Sequence, residues 1–583
     1  MRLLRLFAAI FAAVGFMATV SFAQQSSPII VYDTQFHPTL ARNGMVVSQE
    51  TYASKAGREI LQRGGNAIDA AVATGFALAV THPQAGNLGG GGFMMIYLKE
   101  LDRVVALDYR EMAPARAHRD MFLNDSGDVD KKRVRFTLKA SGVPGTVMGL
   151  TEALTKYGTM PLAEVMAPAI RLAEEGFEMT WALSESLGRY AARLKADAES
   201  AKNYFKADGS IYEAGELFRQ PDLAETLKAI AASGAKGFYE GPVADKLVAA
   251  MTAQGGLITH DDLKNYHAVE REPISGTYRG YKVVTMPPPS SGGVHIVQML
   301  NVMEGWDMKG LGHNSAAYIH RMTETMKYAY ADRSKYLGDP DFFDVPVAAL
   351  TSKEYAGTVR AKINLEKATP SAEIAPAPSL PYESNDTTHF SVMDSAGNMV
   401  ANTYTLNFTY GNGKSVPGAG FLLNNEMDDF SAKAGVPNAF GLLGGEANAI
   451  EPGKRPLSSM TPTLLFKNGE PYMATGSPGG STIITVVLQA VMNVMEFDMN
   501  VQTAISVPRI HHQWYPDRLF LEPGHSIDTR RLLGQMGHQV KSGPTEAWDS
   551  VLGSAQSLIR DPETGLFMGA ADPRRPGSYA AGY

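Results

Sequence analysis

The chain has 583 residues, 44% hydrophobic and 19% charged, which excludes wholesale disorder and allows several domains or one large layered body. A net charge of −7 and a pI near 6.0 exclude a broad basic surface for nucleic acid. The cysteine count of 0 excludes thiol nucleophiles, thiolate metal sites and a lipid-bearing cysteine.

Residues 1–23 read as a signal peptide. Arg2 and Arg5 give a positive start, "LFAAIFAAVGFMATV" an apolar centre, and Ser21-Phe22-Ala23 a small-x-small cleavage site. The competing reading is an uncleaved membrane anchor, because the apolar run approaches spanning length. With the segment removed, the mature chain starts near Gln24. No later run reaches about 18 uninterrupted apolar residues, so no membrane partner is expected after signal cleavage.

Residues 45–47 are a strand candidate. Helical spacing of small and apolar residues follows to about residue 80, interrupted at Gly64-Gly65. "GNLGGGGFMMIYL" leads from a turn into a strand. No Lys-Ser/Thr follows it and no helix opens there, so its glycines indicate close backbone packing and not a phosphate loop. Residues 161–256 are mainly helical, "YKVVTMPPPSSGG" is a strand ending in a proline stop, and residues 315–336 form a long helix.

Pro370, Pro376, Pro378 and Pro381 then mark an extended segment suited to chain cleavage. Strand patterns dominate beyond it, and "TTHFSVMD-SAG-NMVANTYTL" reads as a hairpin whose loop needs a left-handed Gly397. Pairing Asp394 with Asn398 makes partner numbers sum to 792. That register sets Thr387 opposite Thr405, whereas a slip of one residue would break the pair. By alternation Thr388 points to the other face.

Six stretches stand in one order along the chain: "LDYREMAP", "NDTTHFSV", "TYTLN", "LLNNEMDDF", "KRPLSSMTP" and "GSPGGS". With the signal peptide, they make the chain resemble the γ-glutamyltranspeptidases, N-terminal-nucleophile hydrolases, over essentially its mature length. The resemblance implies an α+β fold, a four-layer αββα sandwich, and a precursor that cuts itself between Asp386 and Thr387. A large subunit of 24–386 and a small subunit of 387–583 would form a heterodimer.

The resemblance also implies the roles of the site residues. Thr387 would be the nucleophile, with its own freed α-amine as base, and Thr405 would orient it. The backbone N–H groups of Gly479 and Gly480 would form the oxyanion hole. Arg110, Ser458 and Ser459 would bind the substrate α-carboxylate, and Asn407, Glu426 and Asp429 its α-ammonium. No cofactor or metal is expected. "NNEMDD" lacks calcium-loop spacing, and His511-His512 lack clustered ligands and are expected to be packed. Arg509 and Arg574 resemble family arginines near the subunit interface. Phe440 stands where family members with a lid often carry tyrosine.

The expected activity is transfer of the γ-glutamyl group of glutathione and related compounds to water, amino acids or peptides, in the periplasm or outside the cell. Two alternatives stand beside it. One is a glutaryl- or cephalosporin-type acylase on the same fold, whose substrate lacks the α-ammonium. The other is an unprocessed amino-acid-binding protein.

Overall fold

Period-two runs before and after residue 387 combine into two seven-stranded antiparallel sheets. The computed structural model describes residues 37–374, 387–439, 441–542 and 551–583. Residues 1–23, read as a signal peptide, Asp386 and Phe440 lie outside the described residues.

One sheet runs in the order Tyr579–Gly582, Gly44–Ser48, Thr388–Asp394, Met399–Thr405, Gly91–Leu98, Arg103–Tyr109, Val269–Arg271. The other runs Thr39–Ala41, Phe567–Ala571, Gln556–Arg560, Glu470–Thr475, Thr463–Lys467, Tyr281–Thr285, Ile274–Tyr278. Each sheet interleaves strands from both sides of residue 387.

Both faces of the central hairpin are buried. Phe390, Val392, Val400 and Tyr404 share one apolar cluster with Ile60, Ile68 and Phe76 of the helices Thr51–Gln62 and Ala67–Thr81. Met393, Met399 and Ala401 face the other way and pack with Leu464, Met473 and Leu558 of the second sheet. Helices Gly292–Met303 and Val501–Ser506 pack on that second sheet. Helix, sheet, sheet, helix is the expected αββα order.

The hairpin adopts the expected register. Thr388 pairs with Tyr404 and Met393 with Met399, and the Asp394 N–H donates to the Asn398 carbonyl at 3.2 Å. Gly397 has φ +94°, as the three-residue loop requires. The glycine run beside the hairpin packs as its sequence suggested. A Cβ on Gly90 would lie 2.0 Å from the Thr405 carbonyl oxygen, and one on Gly92 2.5 Å from that of Thr403.

These contacts predict opposite outcomes for two glycine-to-alanine changes. Gly90→Ala must push the backbone carrying Thr405 aside and should lower the thermal unfolding midpoint. Gly534→Ala, in the helix Ile527–Gln535, meets nothing within 4 Å and should stabilise by up to about 1 kcal/mol. Thermal scans of both variants check this.

Candidate functional site

Thr387 stands just before the strand Thr388–Asp394, at the end of the sheet where the hairpin opens, and is 5% exposed. Its hydroxyl donates to Thr405 Oγ1 at 3.3 Å, across the ladder. Thr405 Oγ1 also accepts the Asn407 N–H at 2.8 Å. That second bond depends on a left-handed turn at Asn407, φ +74°, a conformation asparagine tolerates better than most residues. The Asn407 amide is held by donation to the Asn425 carbonyl at 2.9 Å.

Thr387, Thr405, Asn407 and Gly480 line one small cavity of about 300 Å³. Arg110, Glu426, Asp429, Ser458 and Ser459 line the same cavity. Gly479 immediately precedes Gly480, with φ +133°, and its carbonyl accepts both the N–H and the hydroxyl of Thr482, at 3.0 and 2.8 Å. Residues as far apart in the chain as Arg110 and Gly480 therefore line one cavity with Thr387.

The cavity is strongly charged, and most of the residues that line it are buried. Arg110 is 1% exposed, and its guanidinium forks between Glu426 and Asp429, with Nε donating to the Pro456 carbonyl at 3.2 Å. Glu111 lies behind, 3.7 Å from Arg110. Burial opposes the guanidinium's charge, but Glu426, Asp429 and Glu111 outweigh it and hold Arg110 firmly protonated. Burial pushes the Glu426 carboxyl well up, with Arg110 pulling down and Glu111 pushing further up. Neither Glu111 oxygen nor Glu426 Oε2 has a hydrogen-bond partner, so the acidic end of the cavity has unused acceptors.

The sequence reading did not single out Glu111, Arg333, Leu442, Met460 or Asn438. Glu111 is the letter after the arginine of "DYREM", and Arg333 lies on the long helix Ala316–Tyr336. Leu442 lines the cavity from the stretch read as a lid, which Asn438 ties to Asp429 Oδ1 at 3.3 Å.

His511 and His512 are packed as expected. His511 meets Thr485 Oγ1 at 2.8 Å and Gln513 Oε1 at 2.9 Å, and His512 meets Asp517 at 3.2 Å. A different trio, His320, Glu324 and His538, brings three potential ligand atoms within 4.8 Å of one another. Lys327 Nζ already donates to Glu324 Oε1 at 2.8 Å, and the Thr369 N–H donates to Oε2 at 3.1 Å. Both Glu324 oxygens are thus already engaged within the protein. Arg509 and Arg574 pair with Asp572 and Glu522, all C-terminal to residue 387, so they brace that segment internally. Among the described residues no helix is long and apolar enough to cross a membrane.

Comparison with known proteins bears on the family and the fold. The family model described as Gamma-glutamyltranspeptidase matches residues 53–582. A glutathione hydrolase proenzyme of Escherichia coli is 52% identical over 96% of this chain and 96% of its own length. The crystal structure of a cephalosporin acylase from Bacillus halodurans superposes with a TM-score of 0.84 at 31% identity, covering 97% of this chain and 99% of that one. A γ-glutamyltranspeptidase structure from Helicobacter pylori matches at 48% identity and a TM-score of 0.55, over 56% of this chain and 93% of that one.

The buried acidic cluster makes stability depend on pH. Burial raises the Glu111 carboxyl from an ordinary 4.5 to about 7, against the pull of Arg110. Between those values the unfolded chain is ionised there while the folded protein keeps the proton, so stability falls as pH rises from 4.5 to about 7. Glu111→Gln removes that loss. The melting temperature of the variant minus that of the wild type should grow across this interval and then level off; a constant difference would show that Glu111 does not titrate there.

Proposed function

We propose, for a chain that belongs to the gamma-glutamyltranspeptidase family, that it is an autoprocessed γ-glutamyltransferase and glutathione hydrolase with Thr387 as its nucleophile. The observation that carries this reading is the Thr387–Thr405 hydroxyl pair, at the edge of a cavity with a buried guanidinium and two carboxylates.

Thr387 Oγ first attacks the carbonyl of Asp386; the peptide C–N bond breaks, which frees the Thr387 α-amine and leaves the Asp386 acyl group as an ester on Oγ. Water then hydrolyses that ester, which splits the precursor and restores the hydroxyl. In turnover the same Oγ attacks the γ-carbonyl of the donor, and the α-amine, with an ordinary pKa of about 7.7–8.0, takes the hydroxyl proton. Charge develops on the carbonyl oxygen, toward the N–H groups of Gly479 and Gly480. Collapse expels the donor's amine, which takes that proton and leaves a γ-glutamyl ester on Thr387. Water or the amine of an amino acid or peptide then attacks the ester and restores the threonine.

The donor's two charges match the two ends of the cavity. Its α-carboxylate suits Arg110, Ser458 and Ser459; its α-ammonium suits Asn407, Glu426 and Asp429. In the ligand-free protein Arg110 and the acidic pair satisfy one another, and a zwitterionic donor would enter by exchanging partners in kind. The acylase reading is supported by the likeness to the Bacillus halodurans enzyme. The carboxylates weigh against it, because a glutaryl donor brings no cation to offset them.

Export and removal of residues 1–23, and location in the periplasm or outside the cell, are supported by the charged, apolar and small-x-small pattern of that segment. A stable heterodimer of 24–386 with 387–583 is supported by the interleaving of strands in both sheets.

Wild-type protein should run as two bands on a denaturing gel, and Thr387→Ala as one. Thr405→Ala should process and turn over about three- to tenfold more slowly, the equivalent of one hydrogen bond of about 0.5–1.5 kcal/mol. Thr405→Ser should recover most of that loss. Splitting of purified Thr387→Ala at bond 386–387 without a protease would falsify the assignment.

Asp429→Asn removes a charge from the ammonium end and should weaken γ-glutamyl donors by about tenfold or more, while glutaryl donors gain in relative terms. Donor preference measured by kcat/KM decides this, and an unchanged preference counts against the role.

A further inference from the structure

The cavity holds a second guanidinium whose surroundings differ from those of Arg110. Arg333 lies in the last turn of the helix Ala316–Tyr336, is 5% exposed, and lines the cavity. Among the described residues no carboxylate lies within 4.0 Å of it. Its named hydrogen bonds go to two hydroxyls: Nε to Ser291 Oγ at 3.0 Å and Nη2 to Ser459 Oγ at 3.3 Å. Burial outweighs the pull of Asp429 and lowers the Arg333 pKa, so the cation is costly to the protein alone, and an incoming anion would offset that cost.

The directions of the surrounding bonds point the same way. Ser291 accepts from Arg333 and passes its own proton to the Ser458 carbonyl at 2.8 Å, where the Ser291 N–H also donates at 2.8 Å. Ser459 Oγ accepts from Arg333, and Ser458 Oγ accepts the Met460 N–H at 3.1 Å. Both cavity hydroxyls therefore act as acceptors toward the protein, which leaves their protons to donate to a ligand. Two donor hydroxyls beside a guanidinium that makes no ion pair, and whose charge Asp429 offsets only in part, suit an anion. Arg110 is already engaged by Glu426 and Asp429.

We propose that Arg333 is a specificity-determining positioning residue: it orients the Ser459 hydroxyl as a donor, holds the Ser458 backbone through Ser291, and adds a second positive charge beside Arg110 that selects ligands bearing an α-carboxylate. The "PPPSSGG" turn, which carries Ser291, gains a role as the brace of this subsite. The inference rests on the γ-glutamyl reading of the cavity and extends it to a residue outside the expected set.

Binding to the matured enzyme, measured by calorimetry, tests the proposal with three ligands. L-Glutamate carries both α-groups, glutarate lacks the ammonium, and 4-aminobutanoate lacks the α-carboxylate. Arg333→Gln should weaken glutamate and glutarate by about tenfold or more, the loss typical of a charge-assisted hydrogen bond, and leave 4-aminobutanoate within about twofold. Arg333→Lys keeps the charge but not the two-pronged reach, and should show the same selective loss at smaller size. Equal loss for all three ligands would mean a collapsed cavity and overturn the proposal, as would unchanged glutamate binding. If Arg333→Gln fails to mature, the lysine variant carries the comparison; if neither matures, Arg333 is a folding residue and the proposal fails. Wild-type protein inert toward γ-glutamyl donors would sink the functional reading, whereas the variant-to-wild-type binding ratios bear on Arg333 alone.

Discussion

The register of one hairpin governs the geometry of the site. Strands Thr388–Asp394 and Met399–Thr405 are buried on both faces, so a slip of one residue would drive Val392 and Val400 from the helical layer into the space filled by Met393 and Met399. Each face has its own close-packed cluster, and neither can accept the other's side chains without voids or clashes. The threonine pair at the open end inherits this constraint. Thr387 meets Thr405 because the apolar residues above them permit one alignment, and the glycine run at 89–92 lets neighbouring backbone approach closely enough to hold it.

A charge constraint adds to the register. Arg110, Glu111, Glu426 and Arg333 are almost wholly removed from water, where ions are costly unless paired in kind. The ligand-free cavity meets that demand unevenly. Arg110 is shared by carboxylates, Glu111 is held partly protonated near neutral pH, and Arg333 leans on two hydroxyls. Such an arrangement contributes little to stability. It favours a ligand that carries both signs at a fixed separation, and a donor with one sign alone leaves an end of the cavity unmatched.

What could be read from the sequence follows from how local each signal is. The hairpin was legible because a three-residue loop with Gly397 and strict alternation point to the register that packing on both faces then enforces. The motif residues Arg110, Asn407 and Ser458 were legible through resemblance, and the structure gathers them around one cavity. Arg333 was not legible, because on a helix of mixed polarity nothing local separates an inward arginine from a solvated one. Helix Ile483–Met495 was not singled out either: every residue of it is buried, and its one polar stripe, Thr485, Gln489 and Asn493, bonds inside the protein instead of facing water. The engagement of Arg110 by the carboxylates assigned to the opposite pole of the substrate also depends on positions more than 300 residues away.

The same interleaving explains how a chain cut at residue 387 can keep its site. The hairpin bearing Thr387 lies between Gly44–Ser48 and Gly91–Leu98, both N-terminal to the proposed cut, so its ladder bonds on either side do not depend on the bond to be broken. The N-terminal part is anchored near its end as well. The Ala368 N–H donates to the Met536 carbonyl at 2.7 Å, and Ser371 bonds Asp517 and the Trp514 carbonyl at 2.8 and 2.6 Å. Hydrolysis of one peptide bond would free an amine beside Thr387 Oγ while the contacts on both sides remain. The apolar layers that set the hairpin register would therefore also preserve the position of Thr387, the proposed nucleophile, after the proposed cut.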